Sequence, residues 1–531
     1  MSDSRNQRII RGEANELGWV NLEFVQGEVL TGEAPSTSAQ SLLTFIHISD
    51  LHICDAQSPA RIELMDRFAD PHNPISELVP FVGAYRAQEI ITTQTLDSMI
   101  QTINSIKYGV HSTRPVDFVI ATGDVTDNAQ ENELDWYFTL MDGGLVHPDS
   151  GNTDFWEGVS QTDSEKYDLS YWNPEGTPAN CEDDFPRSLY GFPTVPGLTD
   201  AVRKPFNASG LAHKWFATHG NHDALLQGTV PLNAELLEVA TGAKRLTALS
   251  PDIDLAQAFG GWSMVGPAAY ASSAGGTFRD QNADPRRRFN EPSDWAKLHL
   301  TCSEKGHDGH GLTQENADSG TKYWYRDVEE FRLISLDTVN IHGGWMGSID
   351  ESQFLWMKNL LNESNSKKVI LFSHHPLHCL FNDYAPAGFQ RQVARQEVEE
   401  VLLQHKQIIA WFAGHDHDNR VRFIGTEGTN GFWHVMTASL IDWPQQGRIV
   451  EILRDGNELV IATSVIDHDS PIELQTTVSD LNNPINLAGL SRILSANHWQ
   501  RRKQNDFFID LAAGEPADRN RYLRLPFSNS K

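Results

Sequence analysis

The sequence predicts an α/β protein, and three observations carry that expectation. Short apolar runs rich in β-branched and aromatic residues recur, among them Phe118 to Ala121 and Val369 to Phe372. Runs of this kind suit strands covered on both faces. Stretches of helical periodicity lie between several of them, as from Ala84 to Lys107, so successive strands are joined by helices and run parallel. The runs also stop abruptly at Gly, Asp, Asn or His, where open α/β sheets bind their ligands.

Composition narrows the function classes. A chain of 531 residues that is 39% hydrophobic can bury one large core with elaborations or two to three smaller ones. No run of about 18 apolar residues occurs, so no membrane span is expected. A formal net charge of -29 argues against broad contact with nucleic acid phosphates or anionic membrane. An anionic substrate would then need a local attraction such as bound metal. The four cysteines, Cys54, Cys181, Cys302 and Cys379, contain no C-x-x-C pair and make neither a disulfide framework nor a thiolate zinc site. The N-terminus lacks an apolar signal segment, and the chain is expected to be cytoplasmic and reduced.

Residues 1–41 read as an N-terminal extension, with an edge hairpin from Trp19 to Leu30 turning at Gln26–Gly27. Leu42 to Ser49 is a strong strand that ends in Asp50-Leu51-His52. The helix from Ala84 to Lys107 leads into the strand that stops at Gly123-Asp124. Residues 141–211 lose periodicity and are too long for an ordinary connection, so an insertion is expected there. Lys214 to His219 is a short strand followed by Gly220-Asn221-His222-Asp223. A second insertion covers residues 224–321. Strands are then expected at Phe331 to Leu336, Lys368 to Ser373 and Ile408 to Ala413, with helices at Ser352 to Leu361 and Gln392 to His405. The last two of these strands end in His374-His375-Pro376 and Gly414-His415-Asp416-His417. Gly431 to Thr437, Arg448 to Leu453 and Leu459 to Val465 continue the sheet structure, the last two joined at Asp455–Gly456. The main domain spans 42–470, and 471–531 reads as a polar tail with one helix near Leu487 to Asn497.

Potential metal ligands thus close five strands: Asp50 and His52, Asp124, Asn221 beside His222, His374, and His415 with His417. Residues at i and i+2 leave an extended chain on the same side, so Asp50 and His52 can grip one ion together. Oxygen and imidazole donors without thiolate suit Mn, Fe, Zn or Co. Seven such side chains exceed one tetrahedral ion and suit two, about 3.5–4 Å apart, which clamp an in-line displacement. Arg286-Arg287-Arg288 is either a solvated loop or a clamp for phosphate, which guanidinium binds in a bidentate fork. Cys302, His307 and His310 match no zinc spacing.

The order Asp-x-His, Gly-Asp-x-x-Asp, Gly-Asn-His-Asp, His-His-Pro, Gly-His-x-His resembles the calcineurin-like metallophosphoesterase superfamily across Asp50 to His417. The resemblance implies a four-layer β-sandwich of two mixed sheets flanked by helices. It also implies hydrolysis of a small phosphodiester or phosphomonoester by a metal-bound hydroxide, with two divalent or trivalent ions as cofactors. By that resemblance Asp50, His52 and His417 hold one ion, Asn221, His374 and His415 the other, and Asp124 bridges both. His222 then contacts a phosphoryl oxygen or protonates the leaving group, and Asp223 orients it. Asp127 stands where purple acid phosphatases carry a metal-binding Tyr, and His219-Gly-Asn-His-Asp223 departs from the Arg-Gly-Asn-His-Glu of serine/threonine protein phosphatases. The pattern is most similar to bacterial cyclic-nucleotide and glycerol phosphodiesterases. The alternatives are a nuclease, against which the acidic charge speaks, and a non-catalytic metal-binding relative.

Overall fold

Phe45 stacks on Phe118 at 5.1 Å between ring centroids and meets Phe372 and Phe412 edge-on at 5.8 and 5.1 Å. These rings belong to two different sheets and form the middle of the core between them. The computed structural model describes residues 4–79, 82–255, 275–301, 309–426, 430–503 and 509–527. Its principal strands are β1 (Gln40–Ile48), β2 (Phe118–Thr122), β3 (Trp215–Thr218), β4 (Trp324–Val328), β5 (Phe331–Leu336), β6 (Lys368–Ser373), β7 (Ile408–Ala413), β8 (Arg420–Thr426), β9 (Asn430–Met436), β10 (Gln446–Asp455), β11 (Glu458–Asp467) and β12 (Arg521–Pro526).

The first sheet has the order β12-β11-β10-β1-β2-β3 and the second β4-β5-β6-β7-β9-β8. Both are mixed. The strands β1, β2 and β3 run parallel, and so do β5, β6, β7 and β9, while the remaining pairings are antiparallel. Alternation decides which side chains meet. Ile370, Phe372 and Phe412 face the first sheet, while Leu371 and Trp411 face outward onto helices α3 (Glu351–Glu363) and α4 (Arg395–Leu402). Truncating Phe45, which is fully buried, would cost about 3–5 kcal/mol by the transfer and cavity effects of such changes. Helices α1 (Thr92–Ser105) and α2 (Glu131–Asp142) add Leu96, Met99, Leu134 and Tyr137 to the same core. The expected sandwich of two mixed sheets with flanking helices is what forms.

The extremities depart from expectation. Within the expected tail, residues 471–503 and 509–527 contribute to the fold. The strand β12 completes the first sheet against β11, and helix α5 (Pro484–Ser495) and Trp499 bury a second cluster with Trp19, Leu22 and Trp172. The N-terminal hairpin pairs Gln7–Ala14 with Val20–Gln26, so its turn is upstream of Gln26–Gly27. Asn15 sets that turn: its Oδ1 accepts from the amides of Leu17 and Trp19. The strands β4 and β8 were not expected. They are the edges of the second sheet, and their mixed polar and apolar residues are only partly covered.

Candidate metal centre

The polar loops after β1, β2, β3, β6 and β7 meet at one end of the sandwich. Asp50, His52, Asp124, His415 and His417 all take the left-handed conformation, with φ between 44° and 71°. Such residues are uncommon outside glycine and cost about 1–3 kcal/mol each, which clusters them at functional sites. Close glycine contacts let the loops interlock. A Cβ on Gly414 would fall 1.8 Å from Ser49 Oγ and 2.3 Å from an Asp50 oxygen, and one on Gly220 2.2 Å from Asp124.

Asp124 stands between two groups of side chains. Its Oδ2 is 3.7 Å from His52 Nε2 on one side and 3.1 Å from His374 Nε2 on the other. The first group joins Asp50, His52 and His417, whose ligating atoms all lie within 4.8 Å of one another, with His417 Nε2 3.3 Å from Asp50 Oδ1. In the second, His415 Nδ1 is 3.2 Å from His374 Nε2. Asn221 follows the same strand end as His222, whose backbone amide donates to Asp124 Oδ1 at 2.8 Å.

The outward ring nitrogens are anchored. His52 Nδ1 meets Asp127 Oδ1 at 3.0 Å, His374 Nδ1 donates to the Thr122 carbonyl at 2.9 Å, and His417 Nδ1 meets Asp442 Oδ2 at 2.7 Å. Each of these rings therefore turns Nε2 inward, the arrangement in which a histidine is held as a metal ligand. His52 Nε2 and Asn221 Oδ1 are buried without a hydrogen-bond partner. A buried polar atom left so costs about 1–3 kcal/mol, which a cation would relieve, and the donor set therefore fits bound metal.

Burial pushes the Asp124 carboxyl up, but His374 and His222 outweigh it and hold it well below the usual carboxylate range. Burial acts likewise on Asp50, which His417 and His374 bring down to about 2. Burial lowers the His374 imidazole, yet Asp124 and Asp50 raise it to about 9. The site is thus a focus of negative charge, already neutralised in part by protons that a metal ion can displace.

Two assignments change on this geometry. Asp223 does not orient His222. Its Oδ1 accepts from the amides of Val125 and Thr126 and its Oδ2 from Gly220, so it ties the second and third loops together. The His222 ring is held by Nδ1–H donating to the Asp127 carbonyl at 2.6 Å. Arg286, Arg287 and Arg288 make no free clamp: they pair with Asp284, Asp55 and Glu131 respectively, and Arg287 is fully buried. His375 has an atom near His374 and His415, but both nitrogens are in use, with Thr338 Oγ1 at 2.9 Å and the Trp345 carbonyl at 3.0 Å. Cys302 and His307 lie outside the described residues, and His310 stacks on Trp215.

The sequence reading did not single out Asp442 and gave Asp127 no supporting role. Asp442 has no Gly or His motif beside it, and only the fold brings it to His417. Asp127 is fixed by Arg61 and by Gln227 Nε2 at 3.2 Å. Asp442 is fixed by Arg86 and Gln88, each at 3.1 Å, and by an ion pair with Arg501 at 3.1 Å.

Residues 196–419 match the family model for calcineurin-like phosphoesterase. A 92-residue stretch is 33% identical to a probable glycerophosphodiester phosphodiesterase of Arcobacter nitrofigilis, covering 17% of this chain and 33% of that protein. A 100-residue stretch is 28% identical to a manganese-dependent ADP-ribose/CDP-alcohol diphosphatase of Danio rerio, covering 18% of this chain and 29% of that protein. The chain thus spans about a third of the length of these relatives.

Proposed function

We propose that this chain, a member of the calcineurin-like metallophosphoesterase superfamily, hydrolyses a small phosphodiester or phosphomonoester at a pair of metal ions. The observation that carries the reading is the convergence of His52, His374 and His417 Nε2 on Asp50 and Asp124, with every outer nitrogen anchored. Asp50, His52 and His417 would hold one ion, Asn221, His374 and His415 the other, and Asp124 both. Bound there, the ions supply a water acidic enough to ionise near neutral pH and positive charge for the phosphoryl oxygens.

The protein's own part is to fix geometry and move a proton. Asp127 and Asp442 hold His52 and His417 in one tautomer. His222 donates from Nδ1 to Asp127, so Nε2 is its working nitrogen, and the ring stays 15% exposed. Burial lowers its pKa to about 4, so the free ring is neutral and must take up a proton at Nε2 before it can donate to a substrate oxygen. The anionic substrate itself favours that uptake.

The test is removal of metal with a chelator, then addition of Mn, Fe, Zn or Co, against a panel of phosphomonoesters and phosphodiesters. Activity that vanishes and returns with one of these metals supports the reading. Turnover that survives complete metal removal contradicts it.

A further inference from the structure

A second group of metal-binding side chains lies outside the centre described above. His378, Cys379 and Asp416 each offer one ligating atom, and the three atoms all lie within 4.8 Å of one another. His378 Nε2 is 2.6 Å from Asp416 Oδ2, and Cys379 Sγ is 3.4 Å from Asp416 Oδ1. Cysteine spacing does not reveal this group, because it joins one cysteine to a carboxylate on another loop.

The fold holds these donors in place. His378 and Cys379 sit on the turn Leu377–Cys379, which follows β6 and its His374-His375-Pro376. The Leu377 amide donates to Nε2 of the buried His434 on β9 at 3.3 Å, and the Cys379 amide donates to the Pro376 carbonyl at 2.9 Å. The Cys379 carbonyl accepts from the Gly347 and Phe381 amides, each at 3.0 Å. Asp416 stands between His415 and His417 in the loop after β7. His415 turns to His374 and His417 to Asp50, while Asp416 turns to His378 and Cys379.

Imidazole, thiolate and carboxylate together suit zinc, whose bonds of about 2.0–2.3 Å set the donors of a tetrahedron roughly 3.3–3.8 Å apart. The Cys379–Asp416 separation already fits. The His378–Asp416 separation must open by about 1 Å. The His378 side chain is 37% exposed and can move outward, and its exposure leaves a fourth position open to water. Negative charge is in excess nearby. Asp416 and Asp418 share Arg420, which is 3.6 Å from Asp416 Oδ2, and Asp418 Oδ1 is buried without a hydrogen-bond partner. A cation would relieve that excess.

We propose that His378, Cys379 and Asp416 form a further metal site, for zinc, beside the proposed pair of ions. On binding, Cys379 releases its thiol proton to solvent. His378 changes from donating at Nε2 to ligating there, with its proton on Nδ1. The site has three protein ligands, one of them a thiol that must ionise. It therefore fills from added zinc and empties on dialysis, and it is not counted with the two ions of the centre. When filled it ties the loop of His374 to the loop of His415 and His417. The site stands independently of the phosphoesterase reading.

Cobalt(II) distinguishes this site, because a cobalt–thiolate bond absorbs in the near ultraviolet and the oxygen and imidazole donors of the proposed pair do not. The whole chain, first loaded with Mn, is titrated with cobalt in the presence of a phosphine reductant. The native chain and Cys181→Ser, which alters a partly exposed cysteine, should develop a saturable band that excess zinc erases. Cys379→Ser should develop none. His378→Ala should need at least about 10-fold more cobalt, since losing even a supporting partner costs that much. Circular dichroism compares the folding of each variant with the native chain. If Cys379→Ser does not fold, the His378→Ala titration decides alone. No band in the native chain, a band that survives in folded Cys379→Ser, or His378→Ala titrating like the native chain would overturn the site. Turnover is not read, so a failure of the catalytic reading would leave these outcomes unchanged.

Discussion

The Asp442 carboxylate lies 2.7 Å from Nδ1 of His417, and it is gripped by Arg86 near the start of the chain and Arg501 near its end. Residues far apart in sequence thus aim one proposed ligand. Burial opposes the charge on Asp442, and Arg86 and Arg501 hold its pKa well below the usual range. Asp442→Asn is expected to weaken binding of the ion at Asp50, His52 and His417 by about 10- to 100-fold, as loss of such supporting partners does. Arg501→Gln should act in the same direction and less. Titration of the metal-free chain with Mn measures both, and unchanged affinity in Asp442→Asn would sink the role.

His374 and His375 are adjacent but should behave differently. His374→Ala removes an inward nitrogen 3.1 Å from Asp124 and is expected to lose metal. His375→Ala removes the ring that meets the Trp345 carbonyl and Thr338 Oγ1, while Thr338 Oγ1 still accepts from the amide of residue 375 at 3.1 Å. It should cost about 1–3 kcal/mol of stability while retaining metal. Metal content and urea unfolding of the two variants separate the cases. A larger metal loss in His375→Ala would reverse the assignment.

His222→Ala should leave metal binding nearly intact and reduce kcat by about 10²–10⁴, the usual contribution of a positioned proton donor. The sign of the pH effect follows from its lowered pKa. The protonated ring is the donor, so the share of kcat/KM passing through His222 falls as pH rises above about 4, the value of the free ring. The variant should lose that dependence. Its deficit should be large for alkoxide leaving groups and small for nitrophenolate. A deficit equal across leaving groups would leave His222 only a supporting role.

The strands that were legible are those buried on both faces, such as β2 and β6, because continuous apolar runs ending in Gly, Asp or His leave little choice of element. The edge strands β4 and β8 were not, since partial exposure mixes polar residues into them. Polar composition also disguised β12, which pairs with β11 and is bridged on its other side at Arg521 by Thr31. Within the site, the residues pointing inward stand in short motifs after strands and could be read directly. Asp442 and Arg501 could not, because their contacts depend on how the chain ends pack. Asp223 sits inside a motif, yet the sequence could not tell a carboxylate that orients a ring from one that accepts backbone amides across two loops.

The central claim is that one carboxylate, Asp124, joins two metal sites. Elemental analysis of the native chain and of Asp124→Asn, with phosphoester turnover followed in the same samples, tests it most directly. The account expects two ions per native chain and loss of both, with nearly all activity, in the variant. A variant that keeps two ions and most of its turnover would contradict it.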